Sequence, residues 1–396
     1  MSNSNADESP GKLSNNPPPP PSLSSLPDDI VLRCLARVPR SYHLNISWVS
    51  KNLRSLVRSP ELNVLRSTLH KSSLHVCLEE VEEDDDNDHD HDHSSFHWFT
   101  LNETSTSEYG LVPNPTPFPP HPNYGSSTVA VGSNIFFIGG FTETEPSSDL
   151  WILDTRSGNM TQGPSMSMPR RELRAAVGVI DGKIYVIGGR PISFSDDEIF
   201  NDEIQVEVFD PKSETWELAG LENVRTYSRC SASVEGKVYM VEYKKTSVYN
   251  PREGEGGERM VHMVSQRLSE DGSKCKLKET AHRVCVVEDV LFAFFSRTGL
   301  MWFDTKLNVW RKLVGRDGKE LPFILYAEAM AEYDGRLVVF YTYINEVHYS
   351  VTLSIQCLVV SLDRAGGKIC GTIDWSGLVA TVPFSFRFLH CLAVSE

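Results

Sequence analysis

From residue 72 onward, short apolar runs alternate with polar turns. The clearest unit spans residues 174–218. It opens with Ala175-Ala176-Val177-Gly178-Val179-Ile180, turns at Asp181-Gly182, and continues as Lys183-Ile184-Tyr185-Val186-Ile187-Gly188-Gly189. After a loop come Gln205-Val206-Glu207-Val208-Phe209-Asp210-Pro211 and Thr215-Trp216-Glu217-Leu218. Asp-Gly between two β-rich runs is a tight hairpin signal, because Gly takes positive φ without steric cost. The Gly-Gly doublet marks a sharp turn or a close backbone approach. Asp210-Pro211 starts a turn into a further strand. The pattern predicts a four-stranded antiparallel meander.

The unit recurs. The hairpin turn returns as Gly132-Ser133, Glu235-Gly236, Glu288-Asp289 and Asp334-Gly335. The third-strand ending returns as Leu153-Asp154, Tyr249-Asn250, Phe303-Asp304 and Leu362-Asp363. Trp216 and Trp310 follow at matching places, with Met160 and Ile369 standing there in other copies. A second doublet, Gly139-Gly140, follows Asn134-Ile135-Phe136-Phe137-Ile138. Doublet, aromatic-Asp and Trp, spaced at about 50 residues, resemble the kelch motif. The resemblance implies a propeller, one meander per blade.

The ends of the β region are complementary. Residues 72–101 supply a hairpin with no first strand before it. Phe386-Arg387-Phe388-Leu389-His390-Cys391-Leu392-Ala393-Val394 reads as a first strand with nothing after it. Pairing 386–394 with that hairpin closes a ring and removes exposed sheet edges. The expected fold is mostly β: a six-bladed kelch-type β-propeller over 67–396, with a small N-terminal three-helix domain over 23–66. The expected blades are 72–120 with the C-terminal strand, 125–170, 174–220, 227–265, 280–316 and 327–378. Residues 254–257 and the segment to Lys278 read as loop.

Residues 1–22 are rich in Ser, Asn and Pro, and are expected to be disordered. Then the pattern turns helical. Pro27 stands at a helix start, and Asp28 and Asp29 suit the first turn. Ile30, Val31, Cys34, Leu35 and Val38 share one face at helical spacing, and Pro39 stops the helix. Ser41 and Ser50 are candidate caps for two further helices. So small a domain cannot bury all its apolar surface, and part of it should face a partner. Leu26-Pro27-Asp28-Asp29-Ile30, Cys34-Leu35-x-x-Val38-Pro39 and Trp48-Val49-Ser50-Lys51-x-x-Arg54-Ser55-Leu56 resemble an F-box. The whole arrangement resembles the F-box/kelch-repeat family, which is large in plants. Leu53 stands where many F-boxes carry Trp.

Charge and cysteine usage narrow the picture. A formal charge of −15 argues against non-specific nucleic-acid binding, which needs Lys and Arg on phosphate. The eight cysteines are scattered with no Cys-x-x-Cys pair, as expected in a reducing compartment. The polar start is no signal peptide, and no apolar run reaches the roughly 18 residues that span a bilayer. A cytoplasmic or nuclear protein with no membrane contact is expected. The run Glu79–His93 is almost wholly Asp, Glu and His, and His89, His91 and His93 alternate with Asp, a composition able to bind a transition metal. Like charge favours a solvated loop there, and no metal or other cofactor is expected.

No Gly-x-Ser-x-Gly elbow or phosphate-cradling glycine loop is present, so no catalytic role is expected. The better candidates lie just before first strands: Tyr124; Arg170, Arg171 and Arg174; Arg225, Tyr227 and Arg229; His282 and Arg283; Tyr326 and Glu328; Arg387 and His390. Arg and Tyr anchor interfaces. An Arg-rich mouth would suit a carboxylate-bearing or phosphorylated segment, while local pairing with acids such as Glu172 and Glu222 is the competing role. The expected binding face centres on Arg171, Arg174, Tyr227, Arg229, Arg283 and Arg387. The resemblance implies a non-catalytic substrate receptor of an SCF-type cullin-RING ubiquitin ligase. Its F-box would dock on an SKP-family adaptor in the cullin complex through Leu26, Pro27, Ile30, Leu35 and Val38. Its propeller would bind an unidentified target protein. A propeller enzyme with a metal site and a scaffold that delivers nothing for degradation are the alternatives.

Overall fold

The computed structural model describes residues 26–36, 38, 43–62, 65, 72–81, 95–104, 107–114, 117–119, 123, 125–142, 145–170, 175–189, 203–223, 230–253, 258–269, 271–322, 324–347, 350–365 and 367–395. The N-terminal tail, the Ser41 cap and most of the Asp/His run lie outside the described residues.

Three helices, α1 (Asp28–Leu35), α2 (His43–Val49) and α3 (Lys51–Val57), precede the strands. Pro27 caps α1 in an extended conformation, and its carbonyl accepts from the Ile30 and Val31 amides. Ser50 caps α3: its hydroxyl oxygen accepts from the Leu53 amide at 3.1 Å. Asn52 ties α3 to α1 by donating to Asp28. Val31, Leu35, Ala36, Leu53, Leu56 and Leu62 form the domain's core. The expected apolar stripe of α1 is split. Val31 and Leu35 point inward, whereas Ile30 and Cys34 are exposed. One short helix carries two apolar rows one residue apart, and only one can meet α3.

Among the described residues, six sheets of four to six strands stand around an axis as blades, beside a separate two-stranded ribbon of Phe141–Thr142 and Glu145–Pro146. The innermost strands of the blades are Ser127–Val131, Ala175–Ile180, Ser231–Val234, Ala281–Val287, Ala329–Tyr333 and Phe386–Ser395. Each touches the next in that order, and the last touches the first, so the ring is closed. Phe386–Ser395 pairs antiparallel with Ser72–Glu80, giving the first blade one strand from the chain's end and three from its start. Each seam between neighbouring blades holds its own apolar cluster; Val177, Val186 and Phe209 of the third blade meet Phe136 and Leu150 of the second in one of them.

The hairpin turns follow their residues. Asp181-Gly182, Glu235-Gly236, Glu288-Asp289 and Asp334-Gly335 have positive φ at both positions, and Gly132-Ser133 at Gly132 alone. These mirror-image turns match the right-handed twist of the strands they join. Second strands such as Asn134–Ile138 are buried on both faces, which accounts for their unbroken apolar runs.

One expectation is corrected. Part of the segment between Ser265 and Lys278 forms a hairpin, Gln266–Leu268 with Lys274–Lys276. Its first strand runs parallel to Val309–Lys312 through Arg267 and Trp310, adding two outer strands to the fifth blade. The run is short and polar because it lies at a sheet edge, so it carries no apolar alternation to reveal a strand.

Candidate functional site

The helical domain turns apolar side chains outward. Leu26, Pro27 and Ile30 are exposed, Val38 is half-buried, and Trp48 at the end of α2 is 74% exposed. Leu35 does not share this surface. It is 4% exposed, inside the helical core, one turn after Val31. Trp48 and its equally exposed neighbour Val49 were missing from the expected set. Their signal was an apolar pair placed directly before the Ser50 cap, where a helix ends and neither side chain can turn into a helical groove.

In the propeller, antiparallel order brings the segment before each first strand and the link from second to third strand to the same end of the blade. The expected binding residues divide on this face. Arg171, Arg174, Tyr227 and Arg229 lie outside the described residues, as do Tyr124 and Arg225. Arg170 is not a surface residue. Its Nη2 donates to Glu207 Oε2 at 2.7 Å and its Nη1 to the Gly188 carbonyl at 2.6 Å, at the seam of the second and third blades. Arg283 is half-buried at the seam of the fifth and sixth blades. Its Nε donates to the Glu328 carbonyl and its Nη1 to that of His282, at 2.8 Å for the latter. The His282 ring stands edge-on to Tyr326, with centroids 4.8 Å apart. Burial, and then the Arg283 charge, lower the pKa of His282 below its usual value. Arg387 pairs through its backbone with Glu79; its side chain is exposed and forms no hydrogen bond or ion pair among the described residues.

Arg387 stands at a cavity of 440 Å³ between the sixth and first blades. Its walls are largely apolar, with Leu353, Ile355 and Val382 from the sixth blade facing Leu78, Val81 and Phe386 from the first. At the opposite end, the same seam is latched by Arg336, whose Nη1 donates to the Tyr109 hydroxyl at 2.7 Å. Tyr109 in turn donates to Glu103 at 3.1 Å.

The buried thiols are poor nucleophiles. Burial pushes the thiols of Cys77, Cys285 and Cys357 well above the usual range, and that of Cys391 up to about 12, so all four stay protonated at neutral pH. Among the described residues, no cluster of three His, Cys, Asp or Glu is placed to hold a metal. Among them, too, no helix is long and apolar enough to cross a membrane.

Comparison with known proteins agrees with this architecture. The F-box domain family matches residues 23–65, and the FKB95 kelch-repeats domain family matches residues 98–380. A putative F-box/kelch-repeat protein of Arabidopsis thaliana is 42% identical over 400 residues, covering 95% of this chain and 98% of the relative. Another F-box/kelch-repeat protein of the same plant is 37% identical over 405 residues, covering 99% of this chain and 100% of the relative. An F-box followed by a closed six-bladed kelch propeller thus defines the chain, which belongs to the F-box/kelch-repeat family.

Proposed function

We propose that this protein is a substrate-recognition subunit of an SCF-type cullin-RING ubiquitin ligase. The F-box docks on an SKP-family adaptor, and the propeller holds the protein to be ubiquitinated. The observation that carries the reading is the apolar surface left outside the helical core: Leu26, Ile30, Trp48 and Val49 face water on a domain too small to cover them. Such patches mark protein partners. The subunit performs no chemistry itself. It raises the local concentration of target beside the transferring enzyme. The cytoplasm, the nucleus or both are where it acts.

The test is co-purification with an SKP-family adaptor. The parent chain should retain the adaptor, and a Leu26→Ala, Pro27→Ala double variant should retain far less while its propeller stays folded. Undiminished binding by that variant sinks the assignment. Turnover of captured proteins with and without proteasome inhibition separates a degradation receptor from a scaffold.

A further inference from the structure

The hairpin added to the fifth blade ends in an open strand edge. Lys274–Lys276 is the last strand of its sheet and pairs on one side only, with Gln266–Leu268. The Ser269 amide donates to the Ser273 carbonyl, and the Leu277 amide to the Ser265 carbonyl, both at 2.8 Å. In an antiparallel ladder, residues that bond to the partner strand alternate with residues that do not. Ser273, Cys275 and Leu277 therefore turn their backbone groups inward. The amides and carbonyls of Lys274 and Lys276 point outward, where no strand lies among the described residues.

The side chains on this edge are cationic. Lys274 and Lys276 share one side of the hairpin, with Leu268 and Gln266 opposite them; Cys275 faces the other way, opposite Arg267. On the side of Cys275, Leu277 is sealed into the apolar cluster between the fourth and fifth blades, so the lysine side is the one turned from the core. All three residues of the strand are exposed, and so is Lys278 two positions on. Lys274 donates to the Leu307 carbonyl at 2.9 Å, a contact that leaves its charge in place. No carboxylate pairs with these three lysines among the described residues. The described acids nearby are engaged elsewhere. Asp271 accepts from the Ser273 amide and hydroxyl, and Glu279 accepts from the Arg297 amide and the Thr298 hydroxyl.

Edge lysines turn most strands away. A second copy of this edge, laid antiparallel, would set lysine against lysine, which is destabilising. An acidic strand is instead favoured by the same groups. Its carboxylates meet Lys274 and Lys276 when they stand at alternate positions, about 6.6 Å apart along the strand. The overall charge of −15 repels such a partner at long range. Salt screens that field beyond about 8 Å, so at contact the lysines decide.

We propose that this edge binds an acidic segment of a partner protein by strand addition. The segment lies alongside Lys274–Lys276, takes up the free amides and carbonyls, and presents Asp or Glu at alternate positions to Lys274 and Lys276. This surface goes beyond the receptor reading, since it lies on the outermost strand of a blade and does not depend on adaptor docking.

The probe is a fluorescein-labelled peptide, Thr-Glu-Val-Glu-Val-Glu-Thr, titrated onto the full-length chain at low ionic strength and read by fluorescence polarisation. The control, Glu-Val-Thr-Glu-Val-Thr-Glu, has the same composition with no two acids at alternate positions. The probe should bind, and weaken as salt is added. The control should bind about fivefold more weakly or worse, because it cannot meet both lysines at once. Lys274→Glu combined with Lys276→Glu should weaken the probe about tenfold or more, Lys276→Glu alone about threefold, and Lys276→Arg should keep most of the affinity. Lys276 makes no side-chain contact among the described residues, so its variants should melt as the parent does. Amide hydrogen exchange across 274–276 should slow when the probe saturates the chain, since free edge amides become bonded. Absent binding, equal binding of the control, unchanged affinity after charge reversal, or unchanged exchange across 274–276 overturns the proposal.

Discussion

Arg170 and Glu207 form an ion pair at 2.7 Å with side chains 1% and 2% exposed, joining the end of the second blade to the third strand of the third. The second carboxylate oxygen, Oε1, accepts from the Ser167 amide at 2.8 Å. Both glycine doublets converge on this arginine. The Gly140 amide donates to the Arg170 carbonyl, and a Cβ on Gly139 would stand 2.8 Å from that oxygen. Gly188 accepts from the guanidinium. The glycines and the buried pair are one joint between blades. Arg170→Ala would leave the buried Glu207 without its ion-pair partner, at a cost of about 3–5 kcal/mol. A markedly lower unfolding midpoint is expected, and Arg170→Met combined with Glu207→Leu should recover much of it.

Leu35 and Leu26 should separate folding from docking. Leu35→Ala removes a buried side chain, a change that costs about 2–5 kcal/mol, and should unfold the helical domain. Leu26→Ala should leave helical circular dichroism unchanged and lower only adaptor retention. Equal loss of helix signal in both would contradict the division of α1 into an inner and an outer row.

Removing residues 385–396 takes away the innermost strand of the first blade. The pairing edge of Ser72–Glu80 and the neighbouring Ala329–Tyr333 strand would both be uncovered. Open edges template further pairing, so the truncated chain should elute as aggregate in size-exclusion chromatography. A soluble truncation with an unchanged melting temperature would show that the closing strand is dispensable.

His282 makes stability depend on pH in a defined direction. Burial, then Arg283, lower its pKa from 6.5 in the folded chain. Between the lowered and ordinary values the unfolded chain binds more protons, so stability is present above pH 6.5 and falls as pH drops below it. The melting temperature should decline on acidification below that point, and less steeply in His282→Gln. An identical slope in the two proteins would rule His282 out as the cause.

Much of the architecture is written in short stretches of chain. A blade is a local meander: Asp181-Gly182 sets a turn with positive φ whatever surrounds it, and Ile135 to Ile138 need only be apolar to lie between two faces. Repetition then multiplies a weak signal, and a first strand without a hairpin points to a hairpin without a first strand. The roles of single side chains were settled by elements far apart in sequence. Arg170 stands shortly before an innermost strand and Arg387 is the second residue of another, and in sequence they read alike. One meets Glu207 across a seam and is sealed into it; the other, at the start of its strand, stays exposed. Leu35 and Ile30 lie on the same short helix, and only the position of α3 decides which is core. Periodicity records which residues share a face, but the partner of that face is chosen by packing between distant segments, and that only the folded ring decides.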